Sequence, residues 1–157
     1  MDEQPRDTPG EAYDASALAA TREVAAPALD YQPHDLRHDR PAIGLIGCGG
    51  ITRYHLAAYK RAGYRVVALC DVLEAKARER QATYYPDASV YTDYRDLLRR
   101  DDIEIVDVAT HPAARVPILE AALDARKHVL SQKPFVLDVD VGERLADVAD
   151  RRGVKLG

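Results

Sequence analysis

Ala42-Ile43-Gly44-Leu45-Ile46-Gly47-Cys48-Gly49-Gly50-Ile51-Thr52 carries an apolar run straight into a cluster of glycines, and a helix-like segment, Arg53 to Ala62, follows. The order is strand, tight turn, helix start. Glycines let a backbone turn sharply and let a pyrophosphate come close to it. The free N–H groups of the helix start then face the anion, with the helix dipole behind them. The match to G-x-G-x-x-G is partial. Gly47 and Gly49 fill the first two positions, Thr52 stands at the third as a small residue that permits close helix–strand packing, and Gly50 is extra. Alone, the cluster is weak evidence, because glycines also mark ordinary turns; its surroundings decide.

Those surroundings alternate. Ala42 to Ile46 reads as a first strand, nearly all apolar as a strand covered on both faces must be, and Gly44 inside it implies a close packing neighbour. Thr52 to Ala62 reads as a helix stopped by Gly63, and Tyr64 to Cys70 as a second strand ending at Asp71. A helix over Val72 to Ala82, a short strand over Ser89 to Tyr91, and a short helix over Asp93 to Arg99 with Asp93 as N-cap come next. Ile103 to Ala109 is the fourth strand. From Ala113 to Ala125 the apolar period is helical, and Pro117 is tolerable there only in the first turn. His128 to Leu130 is a fifth strand, Asp138 caps a last helix that Gly153 stops, and Val154 to Leu156 begins a sixth strand. This βαβ rhythm predicts an α/β fold with a doubly wound parallel sheet, helices on both faces.

Composition agrees with a globular domain of 157 residues: 46% are hydrophobic and 31% charged. No apolar run reaches the roughly 20 residues that span a membrane, and the acidic N-terminus lacks the apolar core of a secretory signal, so the expected compartment is the cytoplasm. Cys48 and Cys70 lack metal-ligand spacing and read as reduced thiols, with no metal expected. Charge is uneven. Residues 1–40 hold nine acids and four arginines, net −5, and the rest seventeen acids and eighteen basic residues, net +1. The folded part thus has no basic excess for nucleic acid. Residues 1–40, punctuated by prolines, read as an extension, with a short helix conceivable only over Ala12 to Ala26. It is either a flexible tail or an arm that packs on a partner through Leu18, Leu29, Tyr31 and Leu36. The dinucleotide-binding domain is assigned to 41–157.

Asp71 is the strongest support for the glycine loop. It ends the second strand, 24 residues after Gly47. A carboxylate there can accept hydrogen bonds from both hydroxyls of an adenosine ribose and repels a 2′-phosphate, which points to NAD rather than NADP. The plain alternative is a solvated Asp at a strand end.

With these residues in order, the chain resembles the N-terminal domain of the Gfo/Idh/MocA oxidoreductase family. The resemblance is carried by Ile43 to Ile51 with His55-Leu56, by Ala68-Leu69-Cys70-Asp71, by Val106-Asp107-Val108-Ala109-Thr110, and by Ala121 to Ser131 followed by Gln132-Lys133-Pro134. It spans about residues 42–157 and implies a Rossmann fold holding a nicotinamide dinucleotide across the strand ends. It also implies a second α/β domain that supplies most of the substrate pocket and is absent from this chain, and a homo-oligomer in full-length form. The implied cofactor contacts are Gly47, Cys48, Gly49, Gly50, Ile51, Thr52, Asp71, Thr110, His111, Gln132 and Lys133.

Lys133 is the expected catalytic group. In the family a Glu-Lys-Pro motif follows the fifth strand, and its lysine faces nicotinamide and substrate hydroxyl. An ammonium there can polarise a carbonyl or assist proton transfer. Here Gln132 replaces the glutamate, keeping hydrogen-bonding capacity and losing the charge. The alternative is a surface lysine before a proline. Pro134 is expected after a cis peptide bond. Thr110 and His111 should border ribose and nicotinamide. Arg115 stands where the family often has His, and either binds an anionic group or is solvated. His55 reads as a helix-surface or packing residue, Cys48 as a contributor of its backbone N–H, and Tyr84, Tyr85, Tyr91 and Tyr94 as packing around the third strand.

Two functions remain in play. One is the cofactor domain of an NAD-dependent dehydrogenase acting on a sugar, inositol or related polyol, the chain being part of a longer enzyme. The other is a non-catalytic NAD-binding sensor or regulatory module, because fold does not fix function. A truncated product that folds poorly is a third.

Overall fold

The computed structural model describes residues 25–27 and 40–157. The extension reading of 1–40, the helix over Ala12 to Ala26 and the arm residues Leu18, Leu29, Tyr31 and Leu36 lie largely or wholly outside the described residues. From there the chain runs β1 (Ala42–Ile46), α1 (Thr52–Arg61), β2 (Arg65–Cys70), α2 (Glu74–Tyr84), β3 (Ser89–Tyr91), α3 (Tyr94–Leu98), β4 (Ile105–Val108), α4 (Pro112–Asp124), β5 (His128–Ser131) and α5 (Val139–Arg152). The five strands stand in the order β3-β2-β1-β4-β5, and every neighbouring pair is parallel. The chain winds outward from β1 in one direction to β3, then returns to β4 on the other side of β1. That reversal opens a crevice at the carboxyl ends of β1 and β4.

Side-chain alternation splits the core in two. Ile43, Leu45, Val66 and Leu69 point to one face and pack with Leu56 of α1 and Ala77 of α2. Ile46, Ala68, Cys70, Val106 and Val108 point to the other and pack with Leu97 of α3, Leu119 and Leu123 of α4, and Leu145 and Ala149 of α5. Both sheet faces are therefore covered, and β1 is buried throughout, as its apolar run predicts. Between Ile43 and Gly44 the register with β2 shifts, so that Val67 is an extra residue opposite no partner in β1. Gly44 has the expected close neighbour: a Cβ there would lie 2.8 Å from Leu97 Cδ2 and 3.1 Å from Ile103 Cδ1.

The caps follow local chemistry. Asp93 accepts from Arg95 N–H, and Asp138 accepts from Asp140 and Val141 N–H, each at its helix N-terminus. Gly153 ends α5 with φ 70. Three expectations are corrected. The second helix starts at Glu74 rather than Val72, because the Asp71 carboxylate accepts the Leu73 N–H and holds Val72-Leu73 in a turn. The segment Val154 to Leu156 pairs with β5 through a single parallel bridge, Val129 to Leu156, too short to count as a full sixth strand, although the Val129 N–H donates to the Lys155 carbonyl and the Gly157 N–H to the Val129 carbonyl. Pro117 lies in the second turn of α4, since the helix begins at Pro112. Burial of Ile118, Leu119, Ala122 and Leu123 holds the helix in spite of the missing N–H.

Candidate functional site

The glycine loop is shaped by β1 and β4. Gly47 has φ 95, and a Cβ on it would meet the Ala109 backbone at 2.9 Å, so its own fold requires glycine. Gly49 and Gly50 differ. A Cβ on either would meet nothing within 4 Å, and neither has the positive φ that excludes side chains. Nothing among the described residues requires these two glycines, but a pyrophosphate seated on the loop would. Thr52 is fully buried, its hydroxyl donating to the Gly49 carbonyl at 2.7 Å, which closes the loop onto the start of α1. Ile51 precedes α1 with no side-chain cap, so no side chain fills the place of an anion at this helix start.

Asp71 braces this loop. Its Oδ2 accepts the Cys48 N–H at 2.8 Å and its Oδ1 the Leu73 N–H at 2.9 Å. Each oxygen keeps a lone pair for a further donor such as a ribose hydroxyl. The Cys48 N–H, expected as a cofactor contact, is thus committed to Asp71. Burial, and secondarily the Asp71 charge, push the Cys48 thiol pKa up to about 12, and it stays protonated and unreactive.

Gly47, Gly49, Asp71, Thr110 and His111 line one cleft of about 390 Å3, with Ile46, Ile118 and Lys76 among the other walls. The sequence places them up to 64 residues apart, from Gly47 to His111; the strand order brings them together. The Thr110 hydroxyl is buried there without a partner. His111 caps α4, its Nδ1 accepting the Ala113 N–H at 3.4 Å. An open glycine, Gly49, an available carboxylate and an orphan hydroxyl on one crevice fit a dinucleotide. Among the described residues no cluster of His, Cys, Asp or Glu could hold a metal ion, and no helix is long and apolar enough to cross a membrane.

The Gln132-Lys133-Pro134 turn leaves β5 next to this cleft. The Gln132 N–H donates to the Val108 carbonyl at 3.0 Å, and the Lys133–Pro134 peptide is cis, as expected. The Lys133 side chain is exposed. Arg115 is corrected: it is neither solvated nor an anion site. At 1% exposure it donates one guanidinium nitrogen to the Gln132 and Pro134 carbonyls and another to the Thr110 carbonyl. It joins the turn after β5 to the end of β4. Burial pulls its pKa below the ordinary arginine value.

His55 is also more than a surface residue. Its Nδ1 lies 2.8 Å from Asp107 Oδ2, which accepts the Tyr59 hydroxyl as well, at 2.9 Å. Its Nε2 lies 3.1 Å from the Gln132 amide nitrogen. The bond to Asp107 raises the His55 pKa above its ordinary 6.5, with burial opposing. Sequence reasoning missed Asp107 as a functional neighbour. The signal was there: a lone carboxylate in the apolar run Ile105-Val106-Asp107-Val108 has to find partners when buried.

A doubly wound sheet with a glycine loop on its first strand and a carboxylate ending its second defines a dinucleotide-binding Rossmann domain. Comparison with known proteins narrows the class. Residues 42–157 match the model of the oxidoreductase family Gfo/Idh/MocA, NAD-binding Rossmann fold, and the chain belongs to that family. It is 33% identical over 116 residues to inositol 2-dehydrogenase of Burkholderia multivorans, an alignment covering 73% of this chain and 34% of the relative. It superposes on a 3-ketoreductase from Actinomadura kijaniata, solved with TDP-benzene and NADP, at a TM-score of 0.70 and 31% identity, covering 75% of this chain and 37% of that one. A dehydrogenase from Bordetella pertussis, solved with NADH and UDP-GlcNAcA, gives 0.70 and 25%, covering 75% and 36%. The chain spans about a third of the length of the curated relatives it matches, 34% for the Burkholderia enzyme.

Proposed function

We propose that this chain is the cofactor-binding part of an NAD-dependent dehydrogenase that passes hydride between a nicotinamide and a carbinol carbon of an inositol, sugar or related polyol. The observation that carries the reading is the pairing of Gly49 and Gly50, whose side-chain space is open, with an Asp71 carboxylate that lines the same cleft as Gly49. The glycine loop takes the pyrophosphate, and Asp71 takes the adenosine ribose. The Thr110 hydroxyl and His111 border the nicotinamide half. The nicotinamide supplies or accepts the hydride when bound. Lys133 polarises the substrate oxygen or carries its proton. The polyol assignment rests on the inositol 2-dehydrogenases among the relatives, and the rest of the substrate pocket is assigned to a further domain of the whole enzyme.

Solved relatives carry NADP in one instance and NADH in another, so the choice falls to this chain's own residues. Asp71 favours NAD, because its charge opposes a 2′-phosphate. Calorimetry with NADH and NADPH tests this directly. NADH is expected to bind at least tenfold tighter, about 1.4 kcal/mol. Asp71→Asn keeps an acceptor for the Cys48 N–H while removing the charge, and is expected to narrow that preference. Tighter binding of NADPH by the unaltered chain would overturn the assignment.

A further inference from the structure

Asp107 is fully buried in β4. A buried carboxylate needs donors, and all of its hydrogen bonds fall on one oxygen: His55 Nδ1 and the Tyr59 hydroxyl both reach Oδ2, while Oδ1 is buried without a partner. On the far side of the imidazole, His55 Nε2 faces the Gln132 amide nitrogen at 3.1 Å, and Gln132 Oε1 accepts the Lys133 N–H at 2.7 Å. These contacts fix each other's polarity. The Lys133 backbone N–H can only donate, so the amide oxygen turns to it and the amide NH2 turns to the ring. An NH2 group can only donate, so His55 Nε2 must carry a bare lone pair, and the ring proton sits on Nδ1 toward Asp107. Donation then runs in one direction from the Lys133 backbone to the Asp107 carboxylate, from the turn after β5 through α1 to β4.

We propose that His55 is a positioning residue for Lys133: neutral and protonated on Nδ1, it holds the Gln132 amide in the one orientation that receives the Lys133 N–H. The significance of that position rests on the reading of Lys133 as the group that faces substrate. The arrangement is sensitive to one proton. Protonated His55 presents an N–H on both sides, and its Nε2–H then opposes the Gln132 NH2. If the amide flips to serve the ring, its NH2 opposes the Lys133 N–H instead. Gln132 satisfies His55 or Lys133, never both, once the ring is charged. A glutamate at 132 would accept from the Lys133 N–H in either state and from the ring once Nε2 is protonated. The groups facing His55 are Asp107 from β4, Tyr59 from its own helix, edge-on at 6.4 Å, and the neutral Gln132 from the turn after β5. The Tyr59 hydroxyl stays protonated, its pKa raised by burial and by Asp107. Among the described residues, Asp107 is the charged group in contact with the ring.

NMR on the ligand-free chain tests the proposal without any cofactor. Above the His55 titration midpoint, the ring nitrogens should show Nδ1 protonated and Nε2 bare. The Lys133 amide resonance should titrate with the same midpoint as the His55 ring. In Gln132→Glu the Lys133 step should disappear and the His55 midpoint should rise by about one pH unit or more. In His55→Ala the Lys133 step should vanish; Gln132→Glu carries the test if that variant fails to fold. A ring protonated on Nε2, a Lys133 amide with no step at the His55 midpoint, or an unchanged midpoint in Gln132→Glu would each overturn the proposal. NADH calorimetry on the same samples separates the two readings: intact coupling without NADH binding removes the cofactor assignment and leaves the positioning role of His55.

Discussion

Gly44 and Gly47 are both glycines for want of space, and the neighbours that crowd them predict different outcomes. At Gly44 a methyl group meets the end of the Leu97 side chain, which can turn aside. Gly44→Ala is expected to cost about 1–3 kcal/mol of folding free energy, as overpacking does, and to leave NADH binding intact. At Gly47 the obstacle is the Ala109 backbone, and φ is 95, where an L side chain is strained. Gly47→Ala is expected to cost at least as much and to move the loop itself, lowering NADH affinity tenfold or more. Urea midpoints and calorimetry on the two variants check this. Equal NADH binding by both would show that the loop adapts and that Gly47 does not shape the cleft.

At the scale of the element, α4 carries an internal conflict. Pro117 in its second turn offers no N–H to the Ala113 carbonyl. Pro117→Ala restores that donor and removes the ring, and is expected to stabilise the protein by up to about 3 kcal/mol. The urea midpoint should rise with an unchanged slope; a fall would mean that the ring's packing outweighs the lost bond. The sequence expectation about Pro117 failed because local propensity yields when a helix buries a whole face. Where local rules suffice, the elements were legible: β1 and β3, the caps Asp93 and Asp138, and the stop at Gly153 all stand where the sequence placed them. Of the expected contacts, Gly47, Gly49, Asp71, Thr110 and His111 line one cleft, because strand ends in a βαβ order converge by topology, whereas Cys48, Gly50, Ile51, Thr52, Gln132 and Lys133 are not among its walls. Arg115 was not, since its acceptors are backbone carbonyls, which every residue possesses and no sequence distinguishes. The His55–Asp107 pair escaped for a related reason. Its members are 52 residues apart and meet through the crossover that sets β4 beside β1.

For the molecule as a whole, the same histidine links folding to pH. Its folded pKa lies above the unfolded 6.5. Its contribution to stability is therefore complete below about 6.5 and is lost as pH rises through the higher folded value. Urea midpoints measured across that window should fall with pH in the unaltered chain and stay level, at this step, in His55→Gln. A midpoint that rises with pH would reverse the sign assigned to the pair. The folded state is thus favoured by the charged ring, whereas the bond pattern that positions Lys133 needs the neutral one. The Arg115 guanidinium has a different consequence, one of timing. By gripping the carbonyls of Thr110, Gln132 and Pro134 together, it ties the Thr110 wall of the cleft to the turn after β5, as Asp71 braces the glycine loop. A cleft already in shape loses little ordering entropy on association and has no minor state to wait for. Rapid mixing with NADH should give one exponential phase whose rate climbs linearly with ligand concentration, without the plateau of a slow rearrangement.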